Sequence, residues 1–309
     1  MARGAVLTSG TASTMPVAMC LRDLIDGQEC DLVLVLQARD GHRLTLGDAT
    51  GTVEGVLADG GQAPERCAAG AILRVRGQYV DGRLRVRALR VEGPPRSPEQ
   101  LEADLRALVA TVQCDHLRGL LDTVFAPGSA TWEHYRSAPA AKHFHHSYRH
   151  GLLEHSLSVA EGVSSLSATF PGIDRDVAVT GALLHDIGKL DAYTNDPLAI
   201  DMTSLGRLHG EIPLGYYRVR RVIEDLPGFP PRTALAVLHI ILSHHGTLAH
   251  GSPVVPCTRE ATLVHMVDNL GGRLGSFDRI ERELADGVEW SGFDRALSGS
   301  AWFADRVAA

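Results

Sequence analysis

His155 lies in HGLLEHSLSVA, His185 and Asp186 in ALLHDIGKL, His244 and His245 in IILSHHG, and Asp268 in ATLVHMVDNL. Each of these imidazoles and carboxylates sits among apolar residues, so each points at or near a protein core. A buried charge is costly unless it is paired or bound to a metal. Taken singly, each has an ordinary structural explanation: a hydrogen-bonded core histidine, a capping aspartate, a lysine (Lys189) at a helix end that suits the macrodipole. Taken together they would be independent costly burials, and one bound cation offsets all of them. A nitrogen and oxygen donor set without thiolate suits Mn²⁺, Fe²⁺, Co²⁺, Ni²⁺ or Zn²⁺.

Helical patterns must carry these groups. Apolar spacing predicts helices over 147–168, 174–187, 212–225, 231–243 and 258–273, with breaks at PGI, PGFPP and GSPVVP. An earlier helix opens at Ser97-Pro98-Glu99-Gln100, read as an N-cap, a first-turn proline and a capping-box glutamine. The stretch GPPRSP (93–98) reads as a linker. Before it the pattern is β. DLVLVLQ, RLTLGD and TVEGVLA are separated by DG and DATG turns, and ILRVRGQYV-DG-RLRVRALRV has the Asp81-Gly82 pair of a type I′ hairpin. A two-residue turn sets Val80 opposite Arg83 and Arg76 opposite Arg87. One face then shows Arg74, Arg76, Gln78, Arg83, Arg85 and Arg87, and the other Val75, Tyr79, Leu84 and Val86. About five strands in about 75 residues suggest a small closed barrel, with an OB-fold the leading candidate. The expected architecture is therefore α+β in two domains: a loose tail (1–14), a barrel (15–92), the linker, and an all-α bundle (99–309).

At this level of detail the chain resembles the HD-domain metal-dependent phosphohydrolases, through the order His … His-Asp … Asp with HDxGK. LLEHSLSV, ALLHDIGKL, ILSHHGTLAHGSP and TREATLVHMVDNL behind an OB-like barrel resemble more closely the YhaM-type 3′-to-5′ exoribonucleases. The resemblance implies one or two divalent ions, Mn²⁺ foremost. His155, His185, Asp186 and Asp268 would hold the first. Asp186 would bridge to a second held by His244 and His245, and Lys189 would neutralise phosphate charge beside the catalytic Asp186. Single-stranded RNA or DNA is the implied substrate; hydrolysis of small or cyclic nucleotides is the competing reading. Two departures stand out. Where the family carries a segment like GxLLGHIxLG, this chain reads GRLHGEIPLG (206–215), so spacing favours Glu211 as a ligand and donor type favours His209. Where DNLD is common, Gly271 follows Asp268-Asn269-Leu270.

Charge and composition narrow the remaining classes. The formal net charge is −7, with 12 Arg against 11 Asp+Glu up to residue 96 and 18 Lys+Arg against 26 Asp+Glu beyond it. Thirteen of the 15 histidines fall between residues 134 and 265, where surface histidines would scatter. The arginine face of the hairpin is either a solvated strand face or a groove for a single-strand backbone. With Tyr79 the main aromatic there, such binding would be chiefly electrostatic. KHFHHSYRHG (142–151), with Arg149, is either a polar loop or a cationic rim. Five cysteines without a CxxC pair argue against a disulfide framework or a zinc ribbon and for a reducing cytoplasm. No apolar run approaches the ~20 residues of a membrane helix. The resemblance is compatible with self-association, for which the sequence shows no interface signature.

Overall fold

The computed structural model describes residues 20–48, 50–58, 71–91, 96–141, 149–194, 200–284 and 288–304. The tail expected over 1–14 and most of KHFHHSYRHG lie outside them. The chain divides into two compact units, Met1–Val91 and Glu92–Ala309.

The first unit is the expected small barrel. Strands β1 (Glu29–Asp40), β2 (Arg43–Asp48), β3 (Gly51–Leu57), β4 (Ile72–Val80) and β5 (Arg83–Val91) close in the order β1-β2-β3-β5-β4. Closure comes from parallel pairing of β3 with β5; the other pairs are antiparallel. The period-two pattern sends Leu32, Leu34, Leu36, Leu44, Leu46, Leu73, Val75, Leu84 and Val86 inward to one core. Asp81 and Gly82 both have positive φ (51° and 76°), as a type I′ turn requires, and Val80 faces Arg83. Beyond that the register departs from simple pairing. A bulge between Arg76 and Gly77 sets Arg76 opposite Ala88 rather than Arg87. Only glycine fits at 77, because a Cβ there would lie 2.1 Å from the Arg85 carbonyl oxygen.

Asp48 closes the barrel's rim. Its Oδ1 accepts the Thr50 N–H (2.7 Å), the Thr50 hydroxyl (2.6 Å) and the Gly51 N–H (3.1 Å), while Oδ2 accepts the Leu21 N–H (2.7 Å). Burial pushes its pKa up, and the bonds from Thr50, Leu21 and Gly51 outweigh burial and hold it below the ordinary carboxylate value. A depressed folded pKa stabilises above the unfolded value, ~3.9, and that contribution is lost as pH falls through the folded one. Asp48→Ala is expected to destabilise the chain by about 2 kcal/mol at neutral pH, with the deficit shrinking below pH ~4. Urea unfolding at pH 7 and in acid measures both.

The second unit is helical: α1 (Pro98–Ala110), α2 (Asp115–Val124), α3 (Ala130–Ser137), α4 (Gly151–Ser167), α5 (Arg175–Leu184), α6 (Lys189–Ala192), α7 (Ser204–His209), α8 (Glu211–Glu224), α9 (Pro231–Ser243) and α10 (Arg259–Glu283). They share one apolar core, with Leu105, Leu121, Phe125, Trp132, Leu157, Leu183, Ile240 and Val264 fully enclosed. Side-chain caps fix several starts: Ser97, Ser129, Asp174, Thr203 and Thr258 each accept a backbone N–H of the first turn. Gln100 does not complete a capping box. Its amide donates to Asp104 at 2.8 Å instead.

Three boundaries differ from the sequence reading, and the first two bear on the site. Helix α5 ends at Leu184 rather than continuing to 187, so His185 and Asp186 stand in a turn. Helix α4 begins only at Gly151, because His150 adopts a left-handed φ of 71°. Helix α10 runs ten residues past the expected end. Its last turns carry a cluster of Ile280, Leu297, Ala301 and Phe303, built from a segment given no element by pattern alone.

Candidate metal centre

The HDIGK turn is held by close backbone contact. A Cβ on Gly188 would lie 1.9 Å from the Glu211 carbonyl oxygen and 2.5 Å from the Gly215 nitrogen. Two glycines thus let the start of α8 approach the turn that carries Asp186 and Lys189. Arg218, further along α8, grips Asp191 of α6 through bonds of 2.7–3.1 Å and braces the same contact. Gly188→Ala is expected to push α8 off the turn and cost at least the ~1–3 kcal/mol of an overpacked core; the urea midpoint measures it.

Around that turn the candidate ligands converge. His155 Nε2 lies 3.2 Å from Asp186 Oδ2, 3.2 Å from Asp268 Oδ1 and 3.2 Å from His185 Nε2. His155, His185 and Asp186 offer ligand atoms that all lie within 4.8 Å of one another. On the far side of Asp186, His244 Nε2 is 3.5 Å from Oδ1, and His245 Nε2 is 3.5 Å from Glu211 Oε1. Lys189 Nζ sits 2.7 Å from Asp186 Oδ2. The Nδ1 atoms of His185, His244 and His245 each face a backbone carbonyl, of Ala182, Ile241 and His250, at 2.7–2.9 Å. That contact places the proton on Nδ1 and leaves Nε2 as the lone-pair donor, the arrangement expected of imidazole ligands.

The electrostatics fit a divalent cation. Asp186 Oδ1 and His244 Nε2 are buried with no hydrogen-bond partner. Burial works to raise the pKa of Asp186, but Lys189 and His185 hold it well below the usual range. Burial likewise opposes ionisation of Asp268 and Glu211; His155 and His185 keep the first low, and Lys189 and His245 the second. Burial would lower His155, yet bonds to Asp186 and Asp268 carry it up to about 9. That imidazole thus gains positive charge between two carboxylates, Asp186 and Asp268. Burial holds His244 neutral. The residues present fit a divalent ion on both donor type and charge.

The remaining sequence candidates fall out differently. Glu211 opens α8 beside Lys189 and His245, while His209 is exposed on the last turn of α7, before Gly210 at φ 75°. Arg149 is exposed in the turn ahead of α4. The outward arginines of the barrel are largely paired. Asp31 takes Arg74 (2.6 Å) and Arg76 (2.9 Å), Glu54 takes Arg83 (3.1 Å), and Glu29 takes Arg87. Among the described residues Arg85 alone of the five has no carboxylate within ion-pair distance. Sequence reasoning missed Tyr193, whose half-buried phenol is raised by burial and by neighbouring Glu211. Its only signal was nearness to HDIGK.

Residues 152–271, which include the whole cluster, match the HD domain family model. The 3′-5′ exoribonuclease YhaM of Bacillus pumilus is 28% identical over 288 residues, 84% of this chain and 90% of that protein. The chain is similar to the YhaM-type HD-domain proteins. The YhaM exoribonuclease of a Geobacillus strain is 33% identical over 149 residues, and that of Bacillus subtilis 32% over 149. These two alignments span about half of this chain and 45% and 47% of the relatives' own lengths. No solved structure matches. The residues that match the HD domain model are helical in this chain and hold the His/Asp cluster. Among its described residues no helix is long and apolar enough to cross a membrane.

Proposed function

We propose that this chain is a metal-dependent 3′-to-5′ exonuclease that shortens single-stranded RNA and releases nucleoside monophosphates. The observation that carries the reading is the pair of orphaned buried atoms, Asp186 Oδ1 and His244 Nε2, facing each other across a 3.5 Å gap inside a cluster rich in carboxylates. Support for the RNA substrate comes from the relatives' names and from an alignment that takes in the barrel as well as the helical unit. We take residues 15–92 as the barrel domain and 99–309 as the catalytic domain. The four described cysteines are all free thiols, which supports a reducing, cytoplasmic setting.

In this reading His155, His185, Asp186 and Asp268 would hold one ion, and Asp186, His244, His245 and Glu211 a second; a mixed imidazole and carboxylate set suits a divalent transition metal, and Mn²⁺ is the one we propose. When bound, a divalent cation lowers the pKa of its water to ~7 and polarises the phosphoryl oxygen. The chain's own groups do the rest. The backbone carbonyls behind His185, His244 and His245 orient each Nε2. Asp186 offers one oxygen to each half of the site. Lys189, buried with its ammonium on Asp186, supplies a fixed positive charge where phosphate charge develops.

The test uses the full chain loaded with Mn²⁺. It is incubated with 5′-labelled single-stranded RNA and DNA, and in parallel with cyclic dinucleotides and deoxynucleoside triphosphates. A ladder of progressively shortened RNA is expected. Intact RNA alongside turnover of the small nucleotides would overturn the exonuclease reading and favour the nucleotide phosphohydrolase.

A further inference from the structure

Helix α9 stops at Ser243, immediately before the two imidazoles it presents to the site. Carbonyls at a helix C-terminus need partners from outside the helix, and α10 supplies one. His265 Nδ1 lies 2.8 Å from the carbonyl oxygen of His244. The same ring fills the space beside Gly246, where a Cβ would come within 2.1 Å of His265 Cε1 and 2.3 Å of Nε2. Gly246 has φ +82° and donates its N–H to the Ser243 carbonyl at 2.8 Å, so the chain reverses directly over the imidazole. His265 and Asp268 are three residues apart on one helix, a spacing that puts them on neighbouring positions of the same face.

We propose that His265 is a positioning residue for the second cation. By donating Nδ1–H to the His244 backbone carbonyl, it fixes the segment His244–Gly246 against the helix that supplies Asp268. It thereby sets the gap between His244 Nε2 and Asp186 Oδ1. The segment is also held by its own Gly246 N–H on the Ser243 carbonyl and by its side chains, His244 on the Ile241 carbonyl and His245 on the His250 carbonyl. Among the described residues, His265 is the side chain from another helix that bonds the backbone of this segment. One helix then serves both halves of the site: Asp268 enters the first, and His265 holds the loop that forms the second. Only a glycine at 246 lets the ring come close enough. The inference rests on reading the cluster as a two-cation site.

The test is calorimetric titration of Mn²⁺ into the full chain after chelator treatment, for wild type, His265→Leu, His265→Asn and Gly246→Ala, with helicity checked by circular dichroism. Leucine keeps the bulk and loses the N–H; the asparagine amide restores a donor near the Nδ1 position. Wild type is expected to show two binding events. In His265→Leu the tighter event stays and the weaker one loses on the order of tenfold in affinity, as removal of a ligand-orienting bond does. His265→Asn recovers it. If His265→Leu does not fold, Gly246→Ala carries the same expectation, since its methyl displaces the ring. Two wild-type-like events in a folded leucine or alanine variant, or an asparagine variant as weak as the leucine one, would overturn the role of His265 alone. A wild-type chain that takes up fewer than two ions would overturn the two-cation reading and this inference with it.

Discussion

Asp186→Asn is expected to abolish hydrolysis of every substrate, RNA and generic phosphodiester alike. On the proposed reading Asp186 is shared by both halves of the site: Oδ2 meets Lys189 and His155, and Oδ1 faces His244. The amide keeps the shape and removes the charge, and it turns an N–H₂ donor toward Nζ of Lys189 or toward His244. Loss of a bond that merely orients a ligand costs about 10–100-fold in metal affinity or activity. Loss of the shared ligand should exceed that, to about a thousandfold or more. Calorimetry should show neither Mn²⁺ event while circular dichroism shows the helical unit folded. Turnover within tenfold of wild type would place the reacting centre elsewhere in the chain.

Lys189→Met should separate charge compensation from catalysis. The ammonium is buried against Asp186, and Glu211 also draws on its field. Removing one member of a buried ion pair leaves the other uncompensated, at about 3–5 kcal/mol. The cation-free variant is therefore expected to melt well below wild type. Saturating Mn²⁺ restores positive charge at the same carboxylates, so the stabilisation on adding metal should be larger in the variant than in wild type. Activity should not recover with stability. A fixed donor aimed at developing transition-state charge contributes about 10²–10³ in kcat, and methionine supplies none. Paired melting curves with and without Mn²⁺, read beside kcat, check both halves. Equal metal-induced shifts in the two proteins would show that Lys189 does not compensate the cluster.

Much of this was legible in the residues. Alternation marked the five strands, and Asp81-Gly82 marked the hairpin, because period-two burial and a turn needing two positive φ values are local demands. Apolar company marked His155, His185, Asp186, His244, His245 and Asp268 because burial of such groups demands an explanation. The bulge at Gly77 was not legible: it answers the curvature of the closed barrel, which no neighbouring residue reports. Nor was the end of α5 at Leu184, since Ile187 and Leu190 continue a helical pattern through a turn. That His209 is exposed while Glu211 lies beside Lys189 and His245 was not legible either, because spacing and donor type pointed to different residues. His265 looked like one more histidine in an apolar helix, and its partner, a backbone carbonyl 21 residues away, leaves no mark in sequence.

The pairing of the barrel's arginines with Asp31, Glu54 and Glu29 has a consequence for how this unit would meet a polyanion. Five guanidinium groups on one sheet would, if each neutralised a phosphate, give a salt slope near −0.7 per contact on a single strand, about −3.5 altogether. Internal counter-ions change that sum. A phosphate arriving at Arg74 or Arg76 competes with a carboxylate of the protein itself, and the exchange sets fewer solution ions free. The dependence of RNA affinity on potassium chloride contributed by this surface should then fall near the slope of a single contact, roughly −0.7, with steeper behaviour arising only from groups outside the barrel.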